Sequence, residues 1–121
     1  MPLKHYQELV AWQKAMDFAE AVHRVTRRFP RHEMFGLTSQ LRRAVISVPS
    51  NIAEGQGRGT TKEFIQFLNY STGSLQEAET QLILGHRFDY MTERELNGFL
   101  EMSNEVGRVN NGLIRALTRR T

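Results

Sequence analysis

The chain has 121 residues and a mass of 14.0 kDa, a length that fits one domain able to bury about two thirds of its surface on folding. It contains no cysteine, which excludes a disulfide framework, thiolate zinc sites and a cysteine nucleophile, and fits a reducing compartment. The net charge is +3 and arginine supplies 13 of the 16 basic residues; guanidinium forks grip phosphate and carboxylate oxygens in pairs, so a nucleic-acid or acidic partner is indicated.

Met1 to Val10 holds no apolar run of signal-peptide length, and no stretch approaches 18 apolar residues, so the expectation is a cytoplasmic chain with no membrane contact. Apolar residues recur at helical spacing throughout, and no segment reads as a strand. A first helix is predicted over about 9–29, with Leu9, Trp12, Met16, Ala19, Val22 and Val25 facing inward, stopped by Pro30. A second, about 36–55, carries Leu37, Leu41, Ala44, Val45, Val48 and Ile52 on a stripe that stays in phase across Pro49. It is therefore predicted as one helix kinked at that proline and ended by the glycines at 55, 57 and 59.

Thr60 with Glu63 reads as a capping box opening a third helix, about 60–88, whose inner stripe is Phe64, Leu68, Ser71, Leu75, Ala78 and Leu82. Thr92 with Glu95 repeats the device for a fourth, about 92–118, carrying Leu96, Phe99, Leu100, Val106, Leu113, Ile114 and Leu117. Rods of similar length joined by short connections predict an all-α, antiparallel up-down-up-down four-helix bundle spanning 1–121 as a single domain. On the third helix Phe64, Ile65, Phe67, Leu68 and Tyr70 cover more than half the circumference, and Ile83 widens the stripe again between Leu82 and Leu84. That surplus predicts an oligomer interface built on Phe64, Ile65, Phe67, Tyr70 and Ile83.

No catalytic constellation emerges. A two-metal bundle needs a Glu-x-x-His pair on each of two helices, and only Glu20 with His23 provides one, so no metal and no cofactor are expected. His32 beside Glu33 lacks the zinc-protease spacing, and Glu77/Glu79 and Glu93/Glu95 are two residues apart, on different helix faces. A metal-dependent bundle enzyme is the weakest reading. The run Gly55, Gln56, Gly57, Arg58, Gly59 precedes a helix N-terminus, yet it follows a helix rather than a strand and lacks a P-loop lysine. It reads as a helix stop that leaves room for a backbone phosphate beside Arg58 and Lys62.

Arg24, Arg27, Arg28 and Arg31 recur at steps that gather them on one side of the first helix's end. Arg42 and Arg43 lie on the second helix, and Arg108, Arg115 and Arg119 fall near one line on the fourth. Singly, each has an ordinary reading: last-turn arginines complement the helix dipole, and Glu20 can pair with Arg24. As a set, with only Glu33, Glu54 and Glu63 acidic between Val22 and Gln76, they predict a phosphate-facing surface. No DNA- or RNA-binding motif is present and no exposed aromatic platform is evident, so salt-sensitive binding to the backbone is expected and base readout is not.

The runs Leu9-Val10-Ala11-Trp12-Gln13-Lys14-Ala15-Met16, Phe29-Pro30, Phe35-Gly36-Leu37-Thr38-Ser39-Gln40-Leu41-Arg42-Arg43-Ala44 and, above all, Ser47-Val48-Pro49-Ser50-Asn51-Ile52-Ala53-Glu54-Gly55 resemble the four-helix-bundle family of 23S ribosomal RNA intervening-sequence proteins. The same family resembles the accessory variability determinant of diversity-generating retroelements. The resemblance continues through Glu77-Ala78-Glu79. It implies an antiparallel bundle that assembles as a homopentamer, a basic surface that meets RNA or DNA, a reverse transcriptase as partner in the retroelement branch alone, and no enzymatic activity. Within the motif, Pro49, Asn51, Glu54 and Gly55 are expected to be structural: Asn51 donates toward backbone around the proline, and Glu54 pairs with Arg42 or Arg43. The combined expectation is a homo-oligomer that binds nucleic acid nonspecifically and serves as an adaptor; its rival is a protein-interaction scaffold with no nucleic-acid role.

Overall fold

The computed structural model describes residues 5–120; residues 1–4, where the leader expectation begins, lie outside them. Four helices carry the described chain: α1 (Val10–Thr26), α2 (Leu37–Gln56), α3 (Thr61–Arg87) and α4 (Glu93–Thr118), with 3-10 turns at Tyr6–Glu8 and Arg31–Glu33. Among the described residues there is no strand. No helix there is long and apolar enough to cross a membrane.

Each helix packs on two neighbours, α1 on α2 and α4, and α3 on α2 and α4, while the diagonal pairs do not approach. On α3 and α4, Ser71 meets Asn110, Leu75 lies against Gly107 and Glu79 meets Ser103, so residue numbers rise on one helix as they fall on the other. Ser47 with Ser74 and Gly55 with Phe64 and Phe67 show the same reversed order between α2 and α3.

The core is filled by Phe18 and Val22 of α1, Leu41, Val45, Val48 and Ile52 of α2, Leu68, Leu75 and Leu82 of α3 and Val106 of α4. The stripes expected on α2 and α3 face it. The one expected on α1 does so only in part over its first half: Ala11, Ala15 and Phe18 are buried, Leu9, Trp12 and Ala19 are partly covered and pack against the core, and Met16 is exposed. Two apolar stripes one residue apart run along this helix and merge at Val22. The small alanines take the close approach, and the bulkier Trp12 and Met16 flank it. There they line a groove of about 640 Å³ with Ile46, Pro49 and Ala53 of α2.

Helix α1 stops at Thr26 rather than at Phe29. The residue before a proline is pushed out of the α region, and the amides of Arg27, Arg28 and Phe29 tighten onto carbonyls three residues back. Helix α2 stays helical across Pro49, which has no amide proton for the carbonyl of Val45. In the turn that follows, Ser50 Oγ donates to the carbonyl of Ile46 at 2.8 Å, and Asn51 Nδ2 donates to that of Ser47 at 2.9 Å. Gly55, expected as a helix stop, lies inside α2 and is buried; Gly57 caps the helix, and Gly59 takes the left-handed conformation (φ 92°).

The Thr92–Glu95 capping box is complete, with side chains and amides paired reciprocally. At Thr60 only half of it forms: the hydroxyl accepts from the Glu63 amide, and the Glu63 carboxylate takes the Thr60 hydroxyl proton instead of its amide. At the far end of α3, Asp89 adopts φ 66° and the Tyr90 amide reaches back to the carbonyl of Gly85 at 2.8 Å, a helix stop that delivers Tyr90 to the α1–α2 connection.

Candidate nucleic-acid interface

The eleven basic residues singled out from the sequence separate to different parts of the bundle. Arg24, Arg27, Arg28, Arg31 and Arg42 gather where α1 ends and α2 begins, while Arg58, Lys62, Arg115 and Arg119 belong to the opposite end, where α2 and α4 finish and α3 starts. Arg43 lines a groove on the α2–α3 side with Glu77, and Arg108 sits midway along α4.

Several are already held. Arg24 pairs with Glu20 at 2.9 Å, Arg28 with Glu95 across the α1–α4 seam, and Arg108 with Glu105, which Lys14 also approaches at 3.3 Å. Glu54 pairs with Arg58 at 3.4 Å, correcting the expected partners Arg42 and Arg43: Arg58 follows four residues on, just past the end of α2, whereas Arg42 lies about 18 Å back along the helix at 1.5 Å per residue. The Arg58 guanidinium also covers the Phe67 ring, 4.9 Å from its centre. Among the described residues Arg27, Arg31, Arg42, Arg43, Lys62, Arg115 and Arg119 form no ion pair.

The α1–α2 end also holds what the sequence reading passed over. Arg87 and Arg94 lie there, likewise without an ion pair among the described residues. Phe35 is 93% exposed and Phe88 49%, so the end does carry open aromatic faces, contrary to expectation. Phe35 was missed because it sits in the connection between Pro30 and Gly36, outside any helical stripe. Phe29 and Phe88 pack at 5.2 and 5.7 Å from the Tyr90 ring, with His32 at 6.4 Å on another side. Arginine beside exposed rings is the arrangement that holds a phosphate backbone while bases stack.

The connection carrying Phe35 is fixed by one carboxylate. Glu33 accepts from Tyr90 Oη at 2.7 Å and from the Leu37 amide at 3.1 Å, so it caps α2 and ties it to the α3–α4 turn at once. The Tyr90 bond first, then the Leu37 amide, lowers the Glu33 pKa, and the same Glu33 bond raises that of Tyr90. A lowered carboxyl pKa gives stability that is full above the unfolded value and lost as pH falls through the folded one. A raised phenol gives stability that is full below its ordinary value near 10 and lost as pH rises through the folded one. Tyr90→Phe is therefore expected to lower the urea midpoint by a constant amount between about pH 5 and 9, a gap that narrows as pH falls below the ordinary carboxyl range and as it rises past the ordinary phenol value near 10. A gap that narrows at neither end would show that the bond is not the cause.

The surplus apolar surface of α3 is partly used within the chain. Phe64 and Ile65 pack against the core, and Phe67 lies under the last turn of α2 and meets Tyr70 edge-on at 5.2 Å. Tyr70, Ile83 and Leu84 stay open to solvent. Among the described residues no three of His, Asp and Glu come together as metal ligands, and Glu20 is engaged with Arg24.

Residues 7–112 match the family model described as 23S rRNA-intervening sequence protein. A crystal structure of a protein with unknown function from the S23 ribosomal protein family of Bacteroides thetaiotaomicron superposes with a TM-score of 0.80. It is 24% identical in sequence, and the match covers 87% of this chain and 98% of that one, a likeness of fold. No curated protein matches the chain.

Proposed function

Because this chain belongs to the 23S rRNA-intervening sequence protein family, we propose that it is a non-enzymatic, homo-oligomeric binding module that holds the phosphate backbone of RNA or DNA nonspecifically, as an adaptor. The observation that carries this reading is the α1–α2 end, where Arg27, Arg31, Arg87 and Arg94 have no carboxylate partner among the described residues and share that end of the bundle with exposed Phe35 and Phe88. Like charges left uncompensated repel one another and hold counterions; a polyanion releases those counterions on binding. The assembly part rests on Tyr70, Ile83 and Leu84, which a second copy would cover, and the ring of five rests on family resemblance.

The test is binding of a labelled single-stranded RNA between about 50 and 200 mM salt, where the slope of log K against log salt is about −0.7 per phosphate neutralised. The double variant Arg27→Gln/Arg31→Gln is expected to flatten that slope by about 1.4. Absence of binding at the lowest salt, or a flat slope, overturns the polyanion reading and favours a protein-only scaffold. That scaffold reading draws on the open apolar side chains Met16 and Ile46 beside the α1–α2 groove. Light scattering that gives a single-chain mass at all concentrations overturns the assembly.

A further inference from the structure

Between the end of α1, the Arg31–Glu33 turn and the first turns of α2 lies a cavity of about 100 Å³, lined by Thr26, Arg27, Arg31, Thr38 and Arg42 over an apolar wall of Phe29, Pro30 and Met34. No carboxylate lines it. We propose that this cavity is a site for a single phosphate group, bound by Arg27, Arg31 and Arg42 with the Thr38 hydroxyl.

Four observations carry it. The volume matches about three waters, room for one tetrahedral oxyanion. Arg42 is preset: its side chain is half-buried, and its Nε donates at 2.8 Å to Thr26 Oγ1, itself held by donating at 2.7 Å to the His23 carbonyl. Its two terminal nitrogens, with their four protons, remain for an anion in the fork geometry that suits phosphate. Thr38 is 6% exposed and its hydroxyl has no partner among the described residues, an expensive state for a buried polar atom. A threonine in a helix divides between two χ1 rotamers, so the hydroxyl can turn toward a ligand at small cost. Lastly, His23, which lines the α1–α2 groove rather than this cavity, has its pKa lowered, by desolvation first and then by the charges of Arg42 and Arg27.

That the phosphate belongs to a nucleic-acid strand rests on the polyanion reading above. It can be a strand's terminal monoester or an internal diester, and the dianionic monoester suits three guanidiniums better.

Thr38→Val separates a ligand site from a structural one. It keeps the buried shape and removes an unsatisfied hydroxyl, so the free protein is expected to melt at the same temperature or higher. Inorganic phosphate, titrated by calorimetry against chloride at constant ionic strength, should bind wild type saturably and bind Thr38→Val about tenfold or more weakly. Arg31→Gln, at an exposed position, should weaken phosphate likewise without changing the melt. Tighter binding of a 5′-phosphorylated oligonucleotide than of its 5′-hydroxyl counterpart identifies the strand end as the source; equal binding, with the Thr38→Val loss retained, identifies the strand interior. No saturable phosphate binding, or equal affinity in Thr38→Val, overturns the site even where RNA still binds. Phosphate binding by a chain that ignores both oligonucleotides sustains the site and overturns the polyanion reading.

Discussion

Gly55→Ala is expected to destabilise the protein by about 1–3 kcal/mol or somewhat more, although alanine is the better helix former by about 0.5–1 kcal/mol in a helix interior. A β-carbon at this position would stand 2.6 Å from Phe67 Cβ, 3.2 Å from Phe64 Cδ1 and 3.3 Å from the Phe64 carbonyl oxygen. Phe67 Cβ and that carbonyl are tied to the α3 backbone, so no rotamer change relieves the contact, and α2 must back away from α3 along its last turn. Retreat would loosen Phe64 and Phe67 together with the Arg58 guanidinium over the Phe67 ring. Gly98, on the exposed side of α4 with nothing within 4 Å, is the control: Gly98→Ala should stabilise by about 0.5–1 kcal/mol. Urea denaturation of both variants decides between packing and propensity. If Gly55→Ala also stabilised, the close approach of α2 and α3 would have to be absent in solution.

The contrast between those glycines also marks where sequence reasoning stops. Gly55 reads as part of a helix stop and Gly98 as helix interior, yet both lie inside helices, and only the partner helix decides what a β-carbon would meet there. The stripes of α2 and α3 were legible because large aliphatic residues recur on one face with polar neighbours on either side. Helix α1 was half misread because alanine is a weak hydrophobic signal: Ala11 and Ala15 were passed over for Trp12 and Met16, one position along. Capping boxes are local, and Thr92 with Glu95 formed as read; at Thr60 only the bond from the Glu63 amide to the hydroxyl formed as read. The site was less legible. Arginine identities could be read, but their division between two ends follows from chain reversal. Glu33 and Tyr90, 57 positions apart, meet only because the α1–α2 and α3–α4 connections share one end of the bundle. The partner of Glu54 was set by helix rise, which favours the residue one turn along over any arginine two or three turns back.

A second large effect is expected at the polar layer in the middle of the core, where Asn110 of α4 is 0% exposed. Its Nδ2 donates to Ser71 Oγ at 3.1 Å, and Ser71 Oγ donates to the carbonyl of Val48 at 2.9 Å. A serine has one proton, and here it goes to the carbonyl, so the serine must accept from the amide. That fixes the Asn110 orientation and leaves its Oδ1 without a partner among the described residues. Ser71→Ala strands the whole buried amide and should cost about 1–3 kcal/mol. Asn110→Leu removes the unpaired oxygen, leaves the Ser71–Val48 bond intact and should be neutral or stabilising, while the double variant should recover much of the serine loss through a coupling of about 0.5–3 kcal/mol. An asparagine this costly has a use in register: wholly apolar stripes can slide past one another by a turn, about 5.4 Å, whereas Asn110 finds a hydroxyl at only one setting. The Leu variant is therefore expected to resist urea as well as wild type or better and yet to show broadened or doubled amide resonances along α4. Sharp single resonances in that variant would remove register as the reason for the layer.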